Sequence, residues 1–306
     1  MVAKPHGALA LWAAICSLSC GDAKKKDASA PQAQTEDAQG AKVDTASHRS
    51  CEPQDFAKNV DLAEASGATF ITDTRILMVG DSGNHGAFAI VDATSGAVVQ
   101  KGALELDPGA SDDIEGVSLM DGSAYAITSS GWVRKWSYEG GRFTLATPSY
   151  ALAPADSKGL LCYKGTAINC AKNFEGLCLR SQTPPTGECA GFAAAKTTGE
   201  LICLVADDAG KLALDPSRVI PVASAGSLSG CDFDEEERLW FGNNFFAASA
   251  IGYVENWQAP ADAKITRVGN FGFGFPESIA VGRGGQVVRA SDTRGTPSLL
   301  SKYICR

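Results

Sequence analysis

The chain has 306 residues, 33 of them glycine, and only 20% are charged. That length allows one large core or two modest ones, and the glycine content with few helix-period runs favours an all-β chain. A formal charge of −8 gives no support to a polyanion partner, so no nucleic acid is expected.

Residues 1–19 read as an export signal. Lys4 and His6 make a weak basic start, and Ala8 to Ile15 is an apolar run too short to span a bilayer. Its end, Ser17-Leu18-Ser19-Cys20-Gly21, resembles the lipobox of bacterial lipoproteins. The resemblance implies that Cys20 is lipidated and begins the mature chain, with ordinary signal-peptidase cleavage as the alternative. Residues 20–50 have almost no large apolar side chain and read as a flexible tether. The folded domain is then 51–306, in the cell envelope and held to a membrane by its lipid. Gly21 rather than Asp follows the cysteine, which favours the outer membrane and leaves the periplasmic or surface side open.

From Cys51 onward one pattern recurs: a short apolar strand, a turn, a second strand and a polar loop. It is clearest in residues 111–137, where Asp121-Gly122 separates Val117–Met120 from Ala124–Thr128. Asp-Gly between short strands signals a hairpin, because type I′ turns need positive φ at both central residues. Aligned on the first strand, five copies read SGATF, EGVSL, EGLCL, SGCDF and ESIAV. They start at Ser66, Glu115, Glu175, Ser229 and Glu277, at intervals of 49, 60, 54 and 48 residues. Such a repeat predicts a five-bladed β-propeller with four strands per blade, or a six-bladed ring if residues 154–174 form a degenerate blade. The last copy has three strands, and residues 52–62 are placed to supply the fourth and close the ring.

Of ten cysteines, Cys16 leaves with the signal and Cys20 takes the lipid, so eight remain for four disulfides. Ring closure brings Cys51 beside Cys305. Cys178 and Cys189 flank the turn-rich SQTPPTGE and fit a hairpin crosslink, Cys162 and Cys170 bracket a short excursion, and Cys203 and Cys231 remain for each other. No CxxC spacing suggests zinc.

In a propeller the first strand of each blade lines the channel and the second runs back, so strand-one starts and strand-two ends open on one face. Glu115, Glu175 and Glu277 therefore converge on one mouth. Around them come Asp81-Ser82-Gly83-Asn84, Ser129-Ser130, Thr197-Thr198, Asn243-Asn244 and Asp292-Thr293-Arg294. Crowded carboxylates repel, and a hard cation relieves them; an all-oxygen set suits calcium better than magnesium. Glu115, Glu175, Glu277, Asp81 and Asp292 are the metal candidates, with Asp112 and Asp113 at the rim. The competing structural reading has the glutamates hydrogen-bonded to backbone at blade junctions.

The motifs D-x-E-G at 113–116, F-E-G at 174–176 and P-E-S at 276–278, with DSGN-type loops, resemble the SdiA-regulated propeller family. Its wider relatives are the esterase-like phytase-domain and NHL-type propellers. Over roughly residues 55–305 the resemblance implies five blades and bound calcium, with Glu115, Glu175 and Glu277 as ligands. Ser66, Ser229 and Ser278 depart from the pattern, and so does the disulfide set.

The expected function is an exported, membrane-anchored calcium-binding module that takes a small molecule or protein at its channel mouth. The alternative is a calcium-dependent hydrolase of esters, lactones or phosphoesters. His85, in GDSGNHG, is a weak candidate for its base, and only Arg294 is placed to hold a phosphate. No G-x-S-x-G elbow supports a serine hydrolase.

Overall fold

The computed structural model describes residues 50–154, 157–244, 249–270, 275–295 and 297–306. The expected signal segment, Cys20 and tether residues 20–49 lie outside the described residues.

Two short strands come first, β1 (Cys51–Pro53) and β2 (Asn59–Ala63). Blade 1 is β3 (Ala65–Thr72), β4 (Arg75–Gly80), β5 (Ala87–Asp92) and β6 (Val98–Ala103). Blade 2 is β7 (Ile114–Met120), β8 (Ser123–Thr128), β9 (Trp132–Glu139) and β10 (Arg142–Ala151). Blade 3 is β11 (Phe174–Leu179), β12 (Gly191–Ala195), β13 (Glu200–Ala206) and β14 (Leu212–Pro221). Blade 4 is β15 (Leu228–Phe233), β16 (Leu239–Asn243), β17 (Ala250–Glu255) and β18 (Lys264–Asn270). In blade 5 the inner strand is split into β19 (Phe275–Pro276) and β20 (Ala280–Gly282), followed by β21 (Gln286–Asp292) and β22 (Pro297–Cys305). Each sheet is antiparallel in chain order, and β1 and β2 both pair with β22 to supply the fifth blade's outer strand. The chain is an all-β, five-bladed β-propeller.

The apolar core is divided accordingly. Each of five buried clusters draws on two adjacent blades, and one of them joins Ala280, Val288 and Leu300 of blade 5 to Ile76, Met78 and Val91 of blade 1. Sheets buried on both faces explain inner strands that read as nearly continuous apolar runs. The outer strands β14 and β18 escaped the sequence pattern. In β14 burial alternates and Pro216 interrupts the run, as an edge strand allows. Residues 157–173 carry no strand and Phe174 begins β11, so the degenerate blade of the six-bladed alternative does not form.

Among the described residues four disulfides form. Cys51–Cys305 sits on the closing β1–β22 pair, and Cys162–Cys170 ties the loop between blades 2 and 3. The other two pairings differ from the sequence expectation: Cys178 joins Cys231, and Cys189 joins Cys203. The register gives the reason. Phe192, not Cys189, lies opposite Cys178, so the expected Cys178–Cys189 crosslink does not form. Cys178 instead points out of its sheet to Cys231 on the inner strand of blade 4. Cys203 is thereby left to Cys189 within blade 3, not to Cys231.

Along the axis the inner strands meet at glycine. A Cβ on Gly116 would overlap the Leu177 amide and lie 2.7 Å from Gly176 C, and one on Gly176 would lie 2.8 Å from Gly230 Cα. This ring leaves a throat of about 10 Å³, room for about one water. It separates two mouths: one where the inner strands begin, and a far one where they end.

Candidate metal centre

The first ring of the near mouth is built from β-bulges. In blades 1 to 4 the pairing of strands one and two slips by one residue at Ser66, Glu115, Glu175 and Ser229. In blade 5 the amides of Glu277 and Ser278 both donate to Ala290 O, at 2.9 and 3.3 Å. An extra residue in one strand of a pair re-aims a side chain, here toward the axis. The two serines serve structure: Ser66 Oγ donates to Ile114 O, and Ser229 Oγ takes a 3.2 Å bond from Arg289. Three carboxylates remain.

A second ring follows from register. Ala65, Ile114, Phe174, Leu228 and Pro276 pair with Gly80, Thr128, Ala195, Asn243 and Ser291. The next residues are Asp81, Ser129, Lys196, Asn244 and Asp292. Lys196, not the expected Thr197-Thr198, therefore faces the ring, with Nζ 2.9 Å from Glu175 Oε2. Asn173 Nδ2 donates to the other Glu175 oxygen at 2.9 Å. Glu175 is thus committed to a lysine and an amide.

Ligand-capable oxygens of Asp81, Asp113 and Glu115 all lie within 4.8 Å of one another. Asp113, expected at the rim, belongs to this group. Its segment is fixed by buried Arg134 on β9, which donates to Asp107 Oδ1 at 2.9 Å, Ser111 O at 2.8 Å and Ala110 O at 2.6 Å. Partial burial raises Asp107, yet hydrogen bonds from Ser149, Arg134 and the Gly109 amide outweigh it and hold the carboxyl well below the usual range. Ser129 Oγ donates to Asp113 Oδ2, while Asp113 Oδ1 and Asn173 Oδ1 are buried acceptors that no donor reaches. The Cys162–Cys170 loop braces this wall: Asn169 N donates to Ser129 Oγ at 3.0 Å, and Ser130 Oγ to Gly165 O at 3.1 Å.

Electrostatics follow from crowding. Burial raises Glu115 well above its usual value, and the charges of Glu175, Asp81, Asp113 and Glu277 add to the effect. Burial likewise lifts Asp81 to about 7, against a hydrogen bond from Ser82 and with Asp113 alongside. Glu277 rises to about 8 through burial and the Glu175 charge, despite Lys196. Asp113 rises through burial, which the Ser129 hydrogen bonds only partly offset. Burial alone would depress Lys196, but Glu175 outweighs it and holds the ammonium protonated.

Other expected residues stand apart. Asp292 is half-buried at the rim and accepts a 2.6 Å bond from the Arg294 amide. The His85 side chain is 89% exposed, with Nδ1 3.2 Å from Asp112 Oδ2. It pairs with Asp112 and stands outside the Asp81–Asp113–Glu115 group.

The oxygens present fit a hard divalent cation. Two ligands across a calcium ion lie about 5 Å apart at most, and the three carboxylates fall within that span. The unpartnered Asp113 and Asn173 oxygens are acceptors of the kind a cation satisfies. Asp81, Asp113 and Glu115 would hold calcium, with Glu277 beside them, and the ion would supply electrostatic attraction for an anionic or carbonyl oxygen.

No protein-family model matches the chain. No curated protein matches it either. Among solved structures it is similar to Myxococcus xanthus glutaminyl cyclase, at 14% identity over 84% of this chain and 98% of that one, with a TM-score of 0.48. It is similar to the PQQ-bound aldose sugar dehydrogenase of Streptomyces coelicolor, at 14% identity over 84% and 98%, with a TM-score of 0.46. It is also similar to the calcium-binding protein regucalcin of Agrobacterium tumefaciens, at 11% identity over 83% and 97%, with a TM-score of 0.43. At this level of likeness no activity, substrate or metal passes to this chain.

Proposed function

We propose that this protein is an exported calcium-binding β-propeller, lipid-anchored through Cys20 at the cell envelope, whose near mouth takes up a small molecule or protein partner. The resemblance to SdiA-regulated propellers implies the bound calcium, and the lipobox-like Ser17–Gly21 stretch implies the anchor. The observation that carries the reading is the Asp81–Asp113–Glu115 triad, whose ligand oxygens lie within 4.8 Å of one another and include the unpartnered Asp113 Oδ1. Lys196 pairs with Glu175, and no salt bridge to Asp81, Asp113 or Glu115 is present among the described residues.

Metal analysis of protein purified without chelator, with calcium titration calorimetry, tests the site. Stoichiometric calcium, lost in Glu115→Gln, is the expected result. Protein that is calcium-free and shows no thermal shift with millimolar calcium would sink it. The alternative, calcium-dependent ester, lactone or phosphoester hydrolysis, has less support, because His85 points into solvent and Arg294 is exposed. Chelator-sensitive turnover on an ester and phosphoester panel would revive it.

A further inference from the structure

The far mouth opens into a cavity of about 500 Å³, bounded by the inner-strand ends of all five blades. That volume lies in the range of small-molecule sites. Its walls include Phe70, Leu119, Leu179 and Phe233, and its charged lining holds five carboxylates against two guanidinium groups. Both guanidinium groups are already engaged: Arg283 lies 3.0 Å from Asp73, and Arg180 lies 3.0 Å from Glu237. Asp234 is held by Arg238 at 2.6 Å and by the Trp240 indole at 2.7 Å.

Asp232 differs from these. It is 6% exposed and accepts two backbone bonds, from Phe233 N and Val281 N, both at 2.9 Å. It has no salt-bridge partner among the described residues. The Val281 bond ties blade 4 to blade 5, but a tie at this position needs no charge. Ser118, three residues past its own bulge as Asp232 is past Ser229, makes the equivalent bond to Leu179 N at 2.9 Å. A carboxylate buried where a hydroxyl suffices calls for another explanation.

We propose that the far mouth is a second binding site, for a small organic cation with an apolar body, whose ammonium pairs with Asp232 while its body lies on Phe70, Phe233 and Leu179. The apolar walls bury the body, and the acidic lining draws in positive charge. Burial, against the two backbone hydrogen bonds, already pushes the Asp232 carboxyl up to about 8, the cost that a bound cation would relieve. The throat between the mouths keeps this site separate from the calcium site.

Calorimetric titration of the calcium-loaded, full chain with phenethylammonium, 2-phenylethanol and phenylacetate tests the proposal. Saturable amine binding is expected, with the alcohol weaker by at least about tenfold, as loss of a charge-assisted hydrogen bond dictates, and the acid not binding. Asp232→Asn and Asp232→Ser should each weaken the amine by at least about tenfold, the serine variant keeping the tie that Ser118 makes. Leu119→Trp should block the amine by filling the cavity, without touching the Asp232 bonds. Glu139→Gln, exposed at the end of β9 and outside both mouths, should leave amine binding unchanged. The proposal is overturned if no saturable amine binding occurs up to about 10 mM, if alcohol and amine bind alike, or if a folded Asp232→Ser binds the amine as wild type does.

Discussion

Glu115 illustrates how a single side chain here works against the fold that carries it. It is 4% exposed and shares its neighbourhood with four other acids. Replacing it with glutamine should therefore stabilise the calcium-free protein, by on the order of 1 kcal/mol, while lowering calcium affinity at least about tenfold. Urea unfolding in chelator and calcium calorimetry read the two effects separately, and a destabilised chelated variant would show that Glu115 is a structural group instead. Gly116 beside it has the opposite character. A methyl there overlaps the Leu177 amide of the next blade, so Gly116→Ala should cost roughly 3 kcal/mol in the same unfolding assay. The sequence made the glutamates legible because each opens an apolar strand at the repeat period. Lys196 was hidden by a slip of one residue in where the second strand ends. Asn173, in a left-handed conformation (φ 50°) at the end of an aperiodic loop, left no pattern to read.

At the scale of elements, three blade junctions are tied at one equivalent position of the inner strand by three chemistries. Ser118 bonds across from blade 2 to 3, Cys178 is bonded covalently from 3 to 4, and Asp232 bonds from 4 to 5. The cysteine is the strongest of these because it also constrains the unfolded chain, closing a separation of 53 residues. Replacing Cys178 and Cys231 together by serine should cost about 4 kcal/mol by loop entropy, measured by denaturant unfolding without reductant. A serine at 178 making the bond Ser118 makes would recover only about 1 kcal/mol, so a cost near zero would show that the crosslink does not constrain the unfolded chain. Sequence spacing favoured the nearer cysteine because hairpin proximity is visible along the chain, whereas neighbourhood across blades is not. The repeat itself was visible, since inner strands are apolar throughout. The outer strands β14 and β18 were not, since their half-exposed faces lack that signature.

For the whole molecule, the acidic mouth sets how stability depends on pH. Asp81 and Glu277, raised by burial to about 7 and about 8 from ordinary values of 3.8 and 4.5, hold protons in the folded chain that the unfolded chain has released. Stability of calcium-free protein should therefore be greatest at the acid end of that window and fall as pH rises from about 4 to about 8. The slope reaches about 1.4 kcal/mol per pH unit for each extra proton held. Calcium bound at the proposed site would replace those protons, so its stabilisation should widen toward alkaline pH. Melting curves with and without chelator from about pH 5 to about pH 8 should diverge. Parallel curves would remove the carboxylates from the ion's binding.

The bond between Cys51 and Cys305 has a mechanical consequence. It spans 254 residues, nearly the whole propeller, and joins the strands at which the described chain enters and leaves the ring. A load applied through residue 50 and residue 306 would pass straight across this one covalent bridge, and the blades would carry none of it. In an optical trap with handles at those positions, the oxidised protein should show no unravelling step before the handles fail. With reductant present, the same load should peel the ring open and release roughly 850 Å of chain. The propeller would then behave as a shackle under tension and become extensible only when its pin is chemically drawn.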